Sequence, residues 1–236
     1  MERAFIFDVF GTLVDWRTGV AEVARAAFAE RGLDTDPHRF AEQWRARYGP
    51  AMERIRSGTR GYVPLDILHR ENLDETLDAI GIGAAFDADA RAALNHAWEC
   101  LPPWPDVAGG MDRLRPFGFL APCSNASVAL SVRLARFAGL RWDAVVGAET
   151  AQDYKPKREV YLASARALGL PADRVVMVAA HNGDLVAAAE AGLQTAFFPR
   201  PSEHGPGQVR DVAAEGDWTF VARDLVDLAE QVAARG

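Results

Sequence analysis

Cysteine is scarce: only Cys100 and Cys123 occur in 236 residues, too few for a disulfide framework. Long apolar runs are missing too, and no stretch approaches the roughly 20 residues with which a helix crosses a bilayer. Nothing ahead of the first apolar segment reads as a charged leader with a cleavage site, so the expected location is a reducing cytoplasm. Positive charge is also short. Lys and Arg number 26 against 33 Asp and Glu, a net charge of −7, which argues against the clustered basic face that nucleic-acid phosphates require. An anionic small molecule would therefore need individually placed Arg or Lys. Internal repeats and low-complexity tracts are absent, and with 49% hydrophobic and 25% charged residues the chain suits one large domain, or a domain with an insert.

The apolar residues 4–7 read as a short buried strand that delivers a lone carboxylate, Asp8, to its end, with Gly11 letting the chain turn beside it. Ligands bind at that end of an open α/β sheet, although an Asp that merely caps the turn has the same appearance. Helical periodicity then dominates to about residue 98, with expected helices at 20–31, 37–57, 65–80 and 87–98. The Pro-rich run Leu101-Pro102-Pro103-Trp104-Pro105 resets the chain. Beyond it, expected strands at 119–123, 144–147, 175–179 and 195–198 alternate with expected helices at 126–138, 158–168 and 184–191. The expected fold class is α/β: a Rossmann-like parallel sheet with helices on both faces, and an inserted all-helical unit.

Polar residues collect just after these strands. Ser124 and Asn125 put a hydroxyl, an amide and helix N–H groups together, which suits a small anion or simply an N-cap. Lys155 precedes Pro156, where a solvent-facing lysine is the ordinary outcome. The run Ala179-Ala180-His181-Asn182-Gly183-Asp184 is a further cluster, in which His181 alone suits a loop histidine and Asp184 alone a helix cap.

These elements, Asp8 to Thr12, Ser124-Asn125, Lys155-Pro156 and Asp184, stand in the order and spacing of the haloacid dehalogenase superfamily, which the chain resembles over its whole length. The resemblance implies a core from 1–16 and 99–236 and a helical cap domain from 17–98. Most members are magnesium-dependent phosphatases with a second Asp two residues after the nucleophile; here that position is Phe10. Their later loop carries a carboxylate where this chain has Ala180. Phe10 and Ala180 therefore imply no metal and no cofactor, since a hard cation needs several oxygen ligands.

The branch most similar is the type II, L-2-haloacid dehalogenases. Trp44-Arg45 falls where that branch presents an arginine from the cap, and Lys155 to Tyr161 matches its Lys-Pro-x-x-x-x-Tyr run. The resemblance implies that Asp8 displaces halide from a short 2-haloacid and forms an ester that water hydrolyses to a 2-hydroxy acid. It makes Asp8, Lys155, Asp184, His181 and Arg45 the catalytic candidates, and Phe10, Thr12, Ser124, Asn125, Tyr161 and Asn182 the substrate-binding ones. Asp184 with His181 or Asn182 is expected to serve the hydrolytic water. The implied partner is the haloacid, with neither nucleic acid nor membrane, and a homodimer is compatible with the resemblance.

Overall fold

The structure, a computed structural model, describes residues 2–235. Six parallel strands form its centre: β1 (Ala4–Phe7), β2 (Phe119–Ser124), β3 (Val146–Gly147), β4 (Val175–Ala179), β5 (Gln194–Phe197) and β6 (Phe220–Val221). Their order is β3-β2-β1-β4-β5-β6, the doubly wound arrangement whose direction reverses between β1 and β4. The inner strands are apolar without alternation because both faces are covered. Phe5, Phe7, Val176 and Val178 pack into one core, and Ala4, Ile6, Val175 and Met177 into the other.

Five helices occupy the insertion after β1: α1 (Trp16–Ala29), α2 (Pro37–Ala46), α3 (Tyr48–Arg56), α4 (Leu65–Ala79) and α5 (Ala88–Asn95). Their apolar faces, including Phe28, Phe40, Trp44, Leu68 and Leu77, are continuous with the core on one side of the sheet. Trp44 is buried and its indole N–H donates to the His69 carbonyl at 2.9 Å, so truncating it would cost on the order of 3–5 kcal/mol. Six more α-helices lie among the remaining described residues: α6 (Val107–Leu114), α7 (Val128–Ala138), α8 (Ala148–Ala151), α9 (Arg158–Ala167), α10 (Asn182–Glu190) and α11 (Leu225–Arg235).

The first helix runs Trp16–Ala29 rather than 20–31, the helix expected at 87–98 is α-helical over Ala88–Asn95, and the strand expected at 144–147 is Val146–Gly147; three further differences have identifiable reasons. The single helix expected at 37–57 is two, broken at Arg47. Pro50 causes the break: it has no N–H for the carbonyl of Ala46, four residues back, and its ring would collide with that carbonyl. The helix after β2 begins at Val128 rather than 126, capped by Ser127, whose hydroxyl accepts from Leu130 N at 2.9 Å. The helix after β4 begins at Asn182 rather than 184, which puts Asp184 in its first turn, where a carboxylate faces the positive end of the helix dipole.

Candidate active site

Parallel register fixes the site. Phe7 pairs with Pro122 on one side and Val178 on the other, so the residues after β1, β2 and β4 emerge together at the carboxyl edge beside the reversal point. Asp8 donates its N–H to Val178 O at 2.9 Å. Thr12 Oγ1 donates to Asp8 Oδ2 at 2.7 Å and accepts from Ala180 N at 3.0 Å, so this buried hydroxyl orients the carboxylate.

Lys155 is buried, and its Nζ lies 2.9 Å from Asp8 Oδ1 and 2.5 Å from Asp184 Oδ2. Lys155 is thus not the solvent-facing lysine that ordinarily precedes a helix: two carboxylates compensate its desolvation. Tyr161 donates to the other oxygen of Asp184. Burial would raise the Asp8 pKa, but Lys155 and His181 hold it well below the usual carboxylate range. Burial would likewise lower Lys155, yet Asp184 and Asp8 keep it charged far above neutrality. Tyr161 is pushed up by burial and by Asp184, so it remains a donor.

His181 stands between two carboxylates, with Nδ1 2.9 Å from Asp8 Oδ2 and Nε2 2.9 Å from Glu203 Oε2. Burial pulls its pKa down, but Glu203 and Asp8 outweigh burial and raise it well above 6.5. Nothing local in the sequence marks Glu203, which sits in a Pro- and Gly-rich loop that reads as solvated. It is 1% exposed, and Trp16 Nε1 donates to its Oε1 at 3.0 Å. Gly11 makes room for it. At φ +86°, a Cβ on Gly11 would lie 2.1 Å from Glu203 Oε1.

A cavity of about 320 Å³ opens onto this edge, lined by Asp8, Phe10, Arg45, Asn125, Lys155 and His181 among others. That volume suits a ligand of a few heavy atoms. Arg45 comes from the last turn of α2, and its guanidinium carbon lies 3.9 Å from the Tyr48 ring centroid, 5.5 Å from Trp16, 5.9 Å from Trp98 and 6.0 Å from Phe10. Its Nη1 is buried without a hydrogen-bond partner among the described residues. A larger cavity of about 600 Å³ between α2, α3 and α4 contains none of the strand-edge residues.

Not every candidate faces the cavity. Asn182 points elsewhere: its amide bonds Asp211, Ala213, Glu215 and Trp218, fastening the 211–218 loop. Ser124 Oγ accepts from Ala126 N at 3.1 Å and shapes the turn. Tyr161 reaches Asp184, and Thr12 reaches Asp8. Asn125 lines the cavity, with Oδ1 accepting from Lys155 N at 2.9 Å and Nδ2 donating only to the weak acceptor Met52 Sδ at 3.3 Å among the described residues.

The description "haloacid dehalogenase-like hydrolase" belongs to the family model that matches residues 2–192. The chain belongs to this family. Its structure superposes on that of the defluorinating L-2-haloacid dehalogenase Rha0230 with a TM-score of 0.96 and 45% identity, covering 98% of this chain and 95% of that one. An L-2-haloacid dehalogenase from Xanthobacter autotrophicus with chloropropionic acid covalently bound aligns with a TM-score of 0.81 and 25% identity over 100% of both chains. Among curated sequences, the (S)-2-haloacid dehalogenase of Pseudomonas sp. (strain YL) is 27% identical over 99% of this chain and 97% of its own length. In this family member the residues do not fit magnesium. Lys155 and Tyr161 take both oxygens of Asp184, Lys155, Thr12 and His181 take those of Asp8, and Ala180 brings no carboxylate, whereas such an ion takes about six oxygens.

Proposed function

We propose that the protein is an (S)-2-haloacid dehalogenase that converts short 2-haloalkanoic acids to 2-hydroxy acids through an ester on Asp8, without a metal. The observation that carries the reading is that a carboxylate held ionised, Asp8, and a guanidinium whose Nη1 has no hydrogen-bond partner among the described residues, Arg45, line one small cavity whose wall at Phe10 is apolar. A phosphate ester needs its leaving alkoxide protonated, and Phe10 cannot do so. A halide needs no proton, only a positive charge in a dry place.

Asp8 Oδ attacks C2 from the face opposite the halogen, the carbon–oxygen bond forms as the carbon–halogen bond breaks, and halide leaves toward Arg45. Lys155 keeps Asp8 ionised and is itself held by Asp184 and, through it, Tyr161. Thr12 fixes the attack line, and Asn125 Nδ2 is available to the substrate carboxylate. Alignment of this kind can lower the barrier by several kcal/mol, about 7–11 in the best intramolecular cases.

Esterification removes the charge of Asp8, one of the two carboxylates that raise the His181 pKa, while Glu203, the larger influence, remains; on this reading the weakened imidazolium then releases a proton to solvent. His181, still bonded to Glu203, then takes a proton from water as that water attacks the Asp8 carbonyl, which frees the hydroxy acid and restores the carboxylate. The residue serving the water is thus His181 with Glu203, rather than Asp184 or Asn182. Residues 17–98 act as the cap: Arg56 Nη1 donates to Lys155 O at 2.9 Å and Tyr154 OH to Val63 O at 2.7 Å, tying the insertion to the catalytic loop.

Halide release from fluoro-, chloro- and bromo-acids, with and without a chelator, tests this reading. Release of halide with inversion at C2, undiminished by the chelator, is expected. Release of phosphate from phosphate esters that depends on Mg²⁺ would replace it. Fluoride belongs in the panel because Rha0230 is described as defluorinating.

A further inference from the structure

One cluster of ligand-type side chains stands beside the catalytic carboxylates and has no complete role in the chemistry above: His181, Glu203 and His204. His181 Nε2 lies 2.9 Å from Glu203 Oε2, His204 Nε2 lies 3.5 Å from Glu203 Oε1, and the three donor atoms fall within 4.8 Å of one another. A tetrahedral zinc ion with bonds of about 2.0–2.2 Å separates its ligands by ~3.4 Å. Small side-chain adjustments reach that spacing. The supporting contacts are already in place. His181 can donate Nδ1–H to Asp8 Oδ2 at 2.9 Å, which leaves Nε2 free to bind, and Glu203 Oε1 accepts from Trp16 Nε1 at 3.0 Å. Ligating histidines and carboxylates are typically oriented by partners of these kinds.

The geometry points to a His181–Glu203–His204 site for a borderline divalent cation, Zn²⁺ foremost, whose occupancy shuts off the catalytic centre. Two imidazoles and one carboxylate suit zinc rather than magnesium. Access is open. His204 lines a second cavity of about 470 Å³ that shares Arg45 and Tyr48 with the substrate cavity. Arg210, which touches both ring nitrogens of His204, is exposed and can swing into solvent. The bound ion takes the Nε2 position of His181 and displaces one proton. His181 then keeps Nδ1–H on Asp8 and has no free nitrogen with which to take a proton from water, so ester hydrolysis stops.

The site extends the proposed function, and two separate readouts keep them distinguishable. Zn²⁺ is titrated into metal-free wild-type protein and into the His204→Ala and His204→Gln variants, with binding followed by calorimetry and halide release followed in parallel. The wild type is expected to bind one ion per chain and lose at least tenfold in halide release, reversed by a chelator. Both variants are expected to keep wild-type halide release without Zn²⁺, to bind the ion at least tenfold more weakly, and to resist inhibition. Absence of one-to-one binding, binding unchanged in both variants, or saturation without inhibition would overturn the proposal. A metal-free wild type that releases no halide would refute the dehalogenase reading, while calorimetry would still decide the metal site.

Discussion

His181 Nδ1 lies 2.9 Å from Asp8 Oδ2, and the opposite ring nitrogen lies 2.9 Å from Glu203. The nucleophile of the first step therefore touches the residue that serves the second. While Asp8 is charged, it and Glu203 together favour the imidazolium, which orients Asp8; once Asp8 is esterified, Glu203 alone favours it, and the imidazole is more readily released as a base. The order of the two steps is built into one contact.

Separation of the steps by mutation follows. His181→Ala leaves attack on C2 possible and removes the base, so an adduct of substrate minus halide should accumulate on Asp8, visible by intact-protein mass spectrometry. Glu203→Gln should also slow turnover, by roughly ten- to a hundredfold, with less adduct. A His181→Ala protein that turns over freely without adduct would move the base elsewhere.

Stability should depend on pH through the same bridge. The His181 pKa is raised above 6.5, so its contribution is complete below 6.5 and is lost as pH rises through the folded-state value. Asp8 and Glu203 are lowered from 3.8 and 4.5, so theirs is present above those values and lost as pH falls through the folded-state values. The gap in melting temperature between wild type and His181→Phe should be widest between about pH 5 and 6.5 and narrow as pH rises above 6.5 through the folded-state value of His181. A gap constant across that range would contradict the assigned charge.

Lys155→Met leaves buried Asp8 and mostly buried Asp184 without their shared cation. Loss of one partner of a buried pair costs about 3–5 kcal/mol, read from urea denaturation. Adding Asp184→Asn should recover part of the loss, because one of the stranded charges is then removed. If Lys155→Met is as stable as wild type, Lys155 does not hold the pair.

Arg45→Ala should lower kcat/KM for haloacids on the order of a hundredfold, the scale seen when one transition-state donor is lost. Its melting temperature should fall only slightly, because Nη1 has no hydrogen-bond partner to lose and only the ring contacts with Tyr48 and its neighbours are given up. Wild-type kinetics in this variant would remove Arg45 from the halide site.

Much of this was legible in the sequence because it is local. Asp8 follows an apolar run, Lys155 precedes Pro156, and the βα alternation places both at one sheet edge; the apolar run 175–179 marks the strand that the structure contains. Arg45 was legible only through family resemblance, since beside Arg47 it looks like a solvated helix charge. Glu203 was not legible: its burial depends on Trp16 and Gly11, nearly 190 residues away, and no local pattern encodes that contact. The contacts of Asn182 were hidden for the same reason, being made to a loop 29 to 36 residues downstream.

The covalent ester at Asp8 is the central claim, and single turnover in ¹⁸O water tests it most directly. With enzyme in excess over haloacid, the account predicts that the product hydroxyl carries unlabelled oxygen from Asp8 and that one ¹⁸O enters the Asp8 carboxylate, located by peptide mass spectrometry. Label in the first-turnover product with none in Asp8 would mean that water attacks the substrate directly, and would contradict the account.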